Sequence, residues 1–321
     1  MPTRPVCCFG EVLIDFLQDP LQPELFRRYA GGAPANVAVA VARLGGNSHF
    51  MGMLGQDLFG EFLHQQLLHY GVDCQQVRFT SEAKTALAFV ALDQQGDRSF
   101  SFYRPPAADL LYQAEHCPQQ FWQQPGILHL CSNSLTTAAI ADTSFSLIDQ
   151  ARQNGWLISV DANLRHNLWA CGKADRALVR QLVQQADLVK LGDDELRYLA
   201  DEQSDQDWIA QLLAGQARWL LVTAGAAEVK SYSRAGHFTL QVAPVQVKDT
   251  TAAGDAFVGA WLFQLAEAIE QGQTFDSALQ SLSWQQQLVQ GAIRAGSLTC
   301  MAFGAFAALP DRQAWLNAQH G

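Results

Sequence analysis

Short apolar runs at 127–130, 157–160, 188–190 and 220–222 recur along the chain with helix-length polar and amphipathic segments between them. Runs this short, bounded by polar residues, suit strands buried on both faces. Their spacing allows parallel strands joined through helices, because a parallel pair needs a long crossover. Residues 6–9 begin the chain in the same way, and Gly31-Gly32-Ala33-Pro34-Ala35-Asn36 opens an alanine-rich helix through Leu44. The predicted core is therefore α/β, with helices covering both faces of a mostly parallel sheet.

One segment has a different texture. Residues 86–92 and 98–103 flank Asp93-Gln94-Gln95-Gly96-Asp97, and Phe89, Phe100 and Phe102 alternate so that some must pack on a partner. A β-hairpin is predicted there. Such strands suit a small accessory sheet across a cleft, a natural lid, better than a parallel core.

Bulk properties exclude several classes. A net charge of −10 over 321 residues opposes nonspecific nucleic-acid binding, which needs a basic surface. The longest apolar stretches, such as 35–42 and 302–309, fall far short of a membrane span. The N-terminus lacks the basic and apolar regions of a signal peptide, so a soluble, cytoplasmic protein is expected. Seven cysteines, at 7, 8, 74, 117, 131, 171 and 300, form no CxxC pair or zinc spacing, and are read as reduced thiols in or near the core.

The stretch Asp249-Thr250-Thr251-Ala252-Ala253-Gly254-Asp255-Ala256-Phe257 places small residues just before an apolar run of helical period. Backbone N–H groups converge at such a helix start, where the aligned peptide dipoles favour an anion. A carboxylate there repels a phosphate, so Asp255 reads as a base that takes a proton from an attacking hydroxyl. The competing reading is a helix-capping aspartate. Two other leads carry less. Gly172-Lys173 lacks the upstream glycine of a P-loop, and His129 lies in an apolar strand as a core histidine.

Gly31-Gly32-Ala33-Pro34-Ala35-Asn36-Val37-Ala38 and the Asp249 to Phe257 stretch resemble the two defining motifs of the ribokinase-like, PfkB-type carbohydrate kinases. The resemblance runs from Gly10 to about Pro310 and includes, in family order, Gly52-Met53-Leu54-Gly55-Gln56-Asp57, Asp161-Ala162-Asn163-Leu164-Arg165 and Lys190-Leu191-Gly192-Asp193-Asp194-Glu195. Phe102-Tyr103-Arg104-Pro105-Pro106 and the segment Asp161 to Trp169 are most similar to fructokinases. The resemblance implies a three-layer α/β/α sandwich forming one domain over 1–321, with a β lid from about 11–33 and 84–110. It implies transfer of the γ-phosphate of ATP to the C6 hydroxyl of fructose, with Mg²⁺ and a K⁺-like monovalent cation. A homodimer through the lid is a further expectation.

On that resemblance Asp255 is the base, and the N–H groups of Ala252, Ala253 and Gly254 form the anion hole. Asp15, Gly31, Gly32, Asn36, Arg104 and Arg165 would bind the sugar. Lys190, Glu195, Thr223, Gly225 and Gly254 would bind the nucleotide, with Glu195 acting on Mg²⁺ through water. Asp249 and Thr251, with carbonyls near Gly304, would hold the monovalent cation. An acidic chain of this kind is expected to concentrate its few cations at the site. Five positions depart from the family pattern: Ala252 for glycine, Ala162 for proline, Gly192 for asparagine, Glu228 for the second glycine of the nucleotide turn, and Phe303 for lysine. The open alternatives are a kinase for 2-keto-3-deoxygluconate or a ribonucleoside, and a non-catalytic sugar binder, which Glu228 would favour.

Overall fold

A computed structural model describes residues 4–19, 22, 24–92, 98–104, 106–270 and 274–318. The described strands are β1 (Val6–Phe9), β2 (Leu13–Gln18), β3 (Phe26–Gly31), β4 (Ser48–Gly55), β5 (Asp73–Thr80), β6 (Leu87–Leu92), β7 (Arg98–Tyr103), β8 (Ile127–Cys131), β9 (Leu157–Asp161), β10 (Leu188–Gly192), β11 (Trp219–Thr223), β12 (Glu228–Ser233) and β13 (Gly236–Gln241). Nine of them form one sheet in the order β13-β12-β11-β10-β9-β8-β1-β4-β5. Neighbours from β11 across to β5 run parallel, and β12 and β13 add an antiparallel edge.

Apolar side chains cover both faces of this sheet, as the short apolar runs predict. One face is packed by the helices Ala33–Arg43, Ala253–Glu270 and Leu282–Cys300, through residues such as Val39, Trp261 and Val289. The other is packed by Ala138–Gln153, Arg176–Gln184 and Asp205–Ala214, through Leu147, Val179 and Trp208. The first pair of helices approaches closely. A side chain at Gly259 would overlap Ala40, so small residues on both helices set their separation.

The remaining strands form a second sheet, β3-β2-β6-β7, in which β2–β3 and β6–β7 are antiparallel and β2–β6 parallel. The predicted hairpin is β6–β7; its turn at 93–97 and the Phe100 side chain lie outside the described residues. Phe89 stacks on Phe16 at 4.9 Å and meets Phe26 and Tyr103 edge-on.

β1 lies between β8 and β4, so the chain leaves it toward both halves of the sheet. Such a switch point opens a crevice beyond the carboxyl ends of the strands, where α/β sheets place their ligands. His129 is buried on β8, hydrogen-bonded to Ser159 at 3.0 Å, and burial pushes its pKa down to about 3. It is a neutral core histidine. Six cysteines are buried or half-buried thiols, whereas Cys171 is exposed, contrary to the core expectation. No helix among the described residues is long and apolar enough to cross a membrane.

Candidate active site

A cavity of about 580 Å³ occupies this crevice. Its floor is built from segments that leave successive parallel strands: Glu11 after β1, Asn133 after β8, Asn163 and Arg165 after β9, and Gly225 after β11. The second sheet closes the other side with Leu13, Asp15 and Leu17 of β2, Val90 of β6 and Phe102 of β7. Period-2 alternation explains why these residues share one face, since β2, β6 and β7 are in register there.

Asp15 faces the cavity from β2. Gly31, beside it on β3, does not line the cavity; any side chain there would overlap the Asp15 carboxylate, so its absence makes room for that group. Gly32 adopts φ +109 and passes so close to Glu11 that a Cβ would lie 2.6 Å from the Glu11 carbonyl oxygen, which makes glycine necessary. Arg104 leaves β7 and is only 1% exposed. Its Nε and Nη2 donate to Asp109 Oδ2 at 2.8 and 2.6 Å, and Nη1 donates to Thr136 at 3.3 Å. Arg104 lines the cavity, where the resemblance puts a sugar-binding cation, and it is also tied down: a buried guanidinium demands a paired carboxylate, and Asp109 supplies it.

Asp255 lies in the first turn of Ala253–Glu270 and faces the cavity. Asn36, in the first turn of Ala33–Arg43, donates Nδ2–H to Asp255 Oδ2 at 2.7 Å. The expected sugar-facing role of Asn36 is therefore incomplete, because its amide first orients the carboxylate. Burial pushes the Asp255 pKa up to about 7, with the Asn36 hydrogen bond opposing and Asp161 reinforcing the shift.

Before that helix the chain turns through Thr250, Thr251 and Ala252. Ala252 has φ +60, a left-handed conformation that disfavours any Cβ. The N–H of Ala253 reaches the Thr250 carbonyl at 3.3 Å, so it closes the turn rather than standing free as expected. The N–H groups of Ala252 and Gly254 find no acceptor among the described residues and open on the cavity. Beside them stands Lys190, whose Nζ would lie 3.7 Å from a Cβ at Gly254. Both Asp161 carboxylate oxygens hold that ammonium at 3.1 Å. Burial pulls the lysine pKa down, but Asp161 and then Glu195 outweigh it and raise the pKa above the ordinary lysine value.

Glu195 differs from its expected role on a metal network. Its carboxylate accepts the N–H of Gly192 and that of Leu164, each at 2.6 Å, which caps Asp193–Ala200 and pins the loop carrying Arg165. Thr223 and Gly225 line the cavity, the latter at φ +56. Glu228 does not line it; the side chain pairs with Lys230 at 3.0 Å and Gln241 at 3.2 Å on β12–β13, with no left-handed backbone. Asp249 and Gly304 sit behind the turn: the Asp249 carboxylate accepts N–H groups from Thr251 at 2.8 Å and Gly304 at 3.0 Å. Thr251 itself lines the cavity.

Sequence reasoning missed Glu11 and Asn133, which line the cavity, and Asp109, which holds Arg104; all three are buried. Three buried polar side chains from separate segments carry no shared spacing; only Glu11, an acid between apolar residues, offered a signal.

Comparison with known proteins agrees with this geometry. Residues 3–310 match the pfkB family carbohydrate kinase domain. The chain is 38% identical to fructokinase-1 of Zea mays over 311 residues, covering 95% of this chain and 94% of that one. It superposes on the ATP-bound crystal structure of a fructokinase from Xylella fastidiosa with TM-score 0.91 and 42% identity, over 99% of both chains. A double mutant of the Vibrio cholerae O395 fructokinase, crystallised with fructose, ADP and potassium ion, gives TM-score 0.87 and 32% identity over 98% of both. Fold, motif order and a match across nearly the whole length coincide, and the chain belongs to the pfkB family of carbohydrate kinases.

Proposed function

We propose that this protein is an ATP-dependent kinase that phosphorylates fructose at its C6 hydroxyl, with Asp255 as the general base. The observation that carries the reading is the Asp255 carboxylate, oriented by Asn36 and brought to a pKa of about 7, beside the open N–H groups of Ala252 and Gly254. A base poised near the working pH is well matched to its task. As the hydroxyl oxygen bonds to the γ-phosphorus and the bridge to the β-phosphate breaks, Asp255 takes the hydroxyl proton and ADP departs. The two N–H groups and the Lys190 ammonium offset charge on the equatorial oxygens. Asp15, with the Asn36 oxygen, which has no hydrogen-bond partner among the described residues, accepts from or positions sugar hydroxyls, and Arg104 and Arg165 flank them.

Among the described residues, seven carboxylates and three cations, Arg104, Arg165 and Lys190, line the cavity, so the cations gathered at the site are outnumbered by acids. Such a cavity fits a polyphosphate accompanied by a divalent ion. Of the acids at that end, Asp193 and Asp194 pair with Arg197 at 2.8 and 2.6 Å and Glu195 accepts two N–H groups, so Mg²⁺, which would neutralise the phosphates, would be met by these carboxylates through water. A monovalent cation would fall to backbone carbonyls around Thr251 and Gly304, because the Asp249 carboxylate is engaged. Fructose, ADP and potassium in the Vibrio structure support the acceptor and this ion. We place the enzyme in the cytoplasm. We also propose pairing of two copies through the second sheet, where Tyr103 is 65% exposed and Phe26 half-exposed; a single monomer species by sedimentation at micromolar concentration would remove that reading.

The deciding assay is ADP release with MgATP and K⁺ across fructose, glucose, ribose, adenosine and 2-keto-3-deoxygluconate, with the product's phosphate located by ³¹P NMR. Turnover selective for fructose and a C6 ester are expected. Selective turnover of another acceptor replaces the substrate, and binding of fructose without ADP release replaces the kinase by a sugar binder.

A further inference from the structure

Glu11 is nearly inaccessible, 2% exposed, yet it lies at the cavity wall with no place in the proton or phosphate chemistry. Its Oε1 accepts from Asn133 Nδ2 at 2.9 Å and from the backbone N–H of Ala33 at 3.3 Å. Ala33 is the first residue of the helix that carries Asn36. That helix lacks the usual means of satisfying its start. The N-cap is Gly32, with no side chain to accept a hydrogen bond; Pro34 has no N–H; and the first turn holds no acidic residue. A carboxylate from 22 positions earlier in the chain takes the capping role and complements the helix dipole. The Glu11 carbonyl also bars a side chain at Gly32, so backbone and carboxylate hold the same turn from two directions. One turn later Asn36 donates to Asp255 at 2.7 Å.

We infer that Glu11 is a positioning residue for phosphoryl transfer: by capping Ala33–Arg43 from a distance it fixes Asn36, and through Asn36 the orientation of the Asp255 carboxylate. The inference rests on Asp255 acting as the base. The other groups that act on this carboxylate are Asn133, which donates to Oε1, Cys131, whose thiol reaches Oε2 at 3.9 Å, the Arg104 guanidinium, which favours its ionised form, and Asp109, which opposes it.

The test is a double-mutant cycle on purified enzyme with MgATP and fructose, using Glu11→Ala, Glu11→Gln, Asn36→Ala and each pair, with Asp255→Asn alongside. Glu11→Ala is expected to lower kcat on the order of tenfold with a smaller change in the fructose KM, since misplacing a reacting group acts chiefly on the chemical step. Glu11→Gln, which keeps an acceptor for Ala33, recovers part of the loss and stands in if the alanine variant does not fold. In the Asn36→Ala background the Glu11 substitutions have no further effect on kcat, and in the parent background they move the acidic limb of the kcat/KM profile upward, as loss of the Asn36 hydrogen bond must. A loss of equal size with and without Asn36, an unmoved acidic limb, or an effect confined to the fructose KM overturns the inference. Undiminished turnover by Asp255→Asn instead removes the base assignment, whatever Glu11 does.

Discussion

At the scale of single residues, the site balances groups that would be unstable alone. Asp255 is the clearest case: burial favours its protonated form, while the Asn36 amide favours the ionised one. Because the base must be deprotonated, kcat/KM for fructose is expected to fall as pH drops through about 7, well above the ordinary aspartate range. A rate profile flat down to pH 5 would show that Asp255 is not so perturbed or not the base. Ala252 is a second case. Its methyl looks harmless in the sequence, yet the backbone there is left-handed, which costs roughly 1–2 kcal/mol for a residue bearing a Cβ. Replacing it with glycine relieves that strain but adds chain entropy to the unfolded state, for a net stabilisation of about 0.5–1 kcal/mol. Turnover should change little, because the N–H groups remain. Urea unfolding measures this; a destabilised Ala252→Gly would mean the turn does not hold the left-handed conformation in solution.

At the scale of elements, the catalytic contact is made by two helices whose spacing is set one turn away from it. Asn36 and Ala40 lie on one helix, Asp255 and Gly259 on the other, each pair four residues apart and so on the same face. Gly259 fits against Ala40 and the Val37 carbonyl with no room for a side chain. Gly259→Ala is therefore expected to push the helices apart, lengthen the Asn36–Asp255 bond and lower kcat, on the order of 10²-fold for a shift near 1 Å. Fructose affinity should fall less than turnover, since Asp15 sits on β2, away from the displaced helices. An equal loss in affinity and turnover would point to general disruption instead. Such contacts mark the limit of what the chain discloses by itself. Strand positions and the order of motifs are legible because period and turn chemistry are local. The Lys190–Asp161 pair and the Glu195 bond to Leu164 join segments 29 and 31 residues apart that only the sheet brings together, and no spacing in one sequence encodes them. The β12–β13 hairpin, the Arg104–Asp109 pair and the Glu195 cap on Gly192 are local, but charged residues at such short separations are common enough that their pairing does not stand out.

At the scale of the whole molecule, the site stores instability that the rest of the fold supports. The folded state holds the Asp255 proton up to about pH 7, whereas an unfolded aspartate releases it near 3.8. Between those values the native state binds more protons than the unfolded one, so this group makes stability fall as pH rises, and the full penalty is present above pH 7. Asp255→Asn removes the penalty while keeping the shape, and its amide can still meet Asn36. The variant's Tm should exceed the parent's at pH 8, and the gap should narrow steadily as pH is lowered toward 5. The same variant should lose at least ~10²-fold in kcat, as expected for a general base. Stability gained where activity is lost, with that pH dependence, identifies a carboxylate kept for chemistry rather than for folding. A helix-capping aspartate predicts the reverse, a variant less stable than the parent above pH 5, and scanning calorimetry at pH 5, 6, 7 and 8 separates the two readings without any assay of turnover.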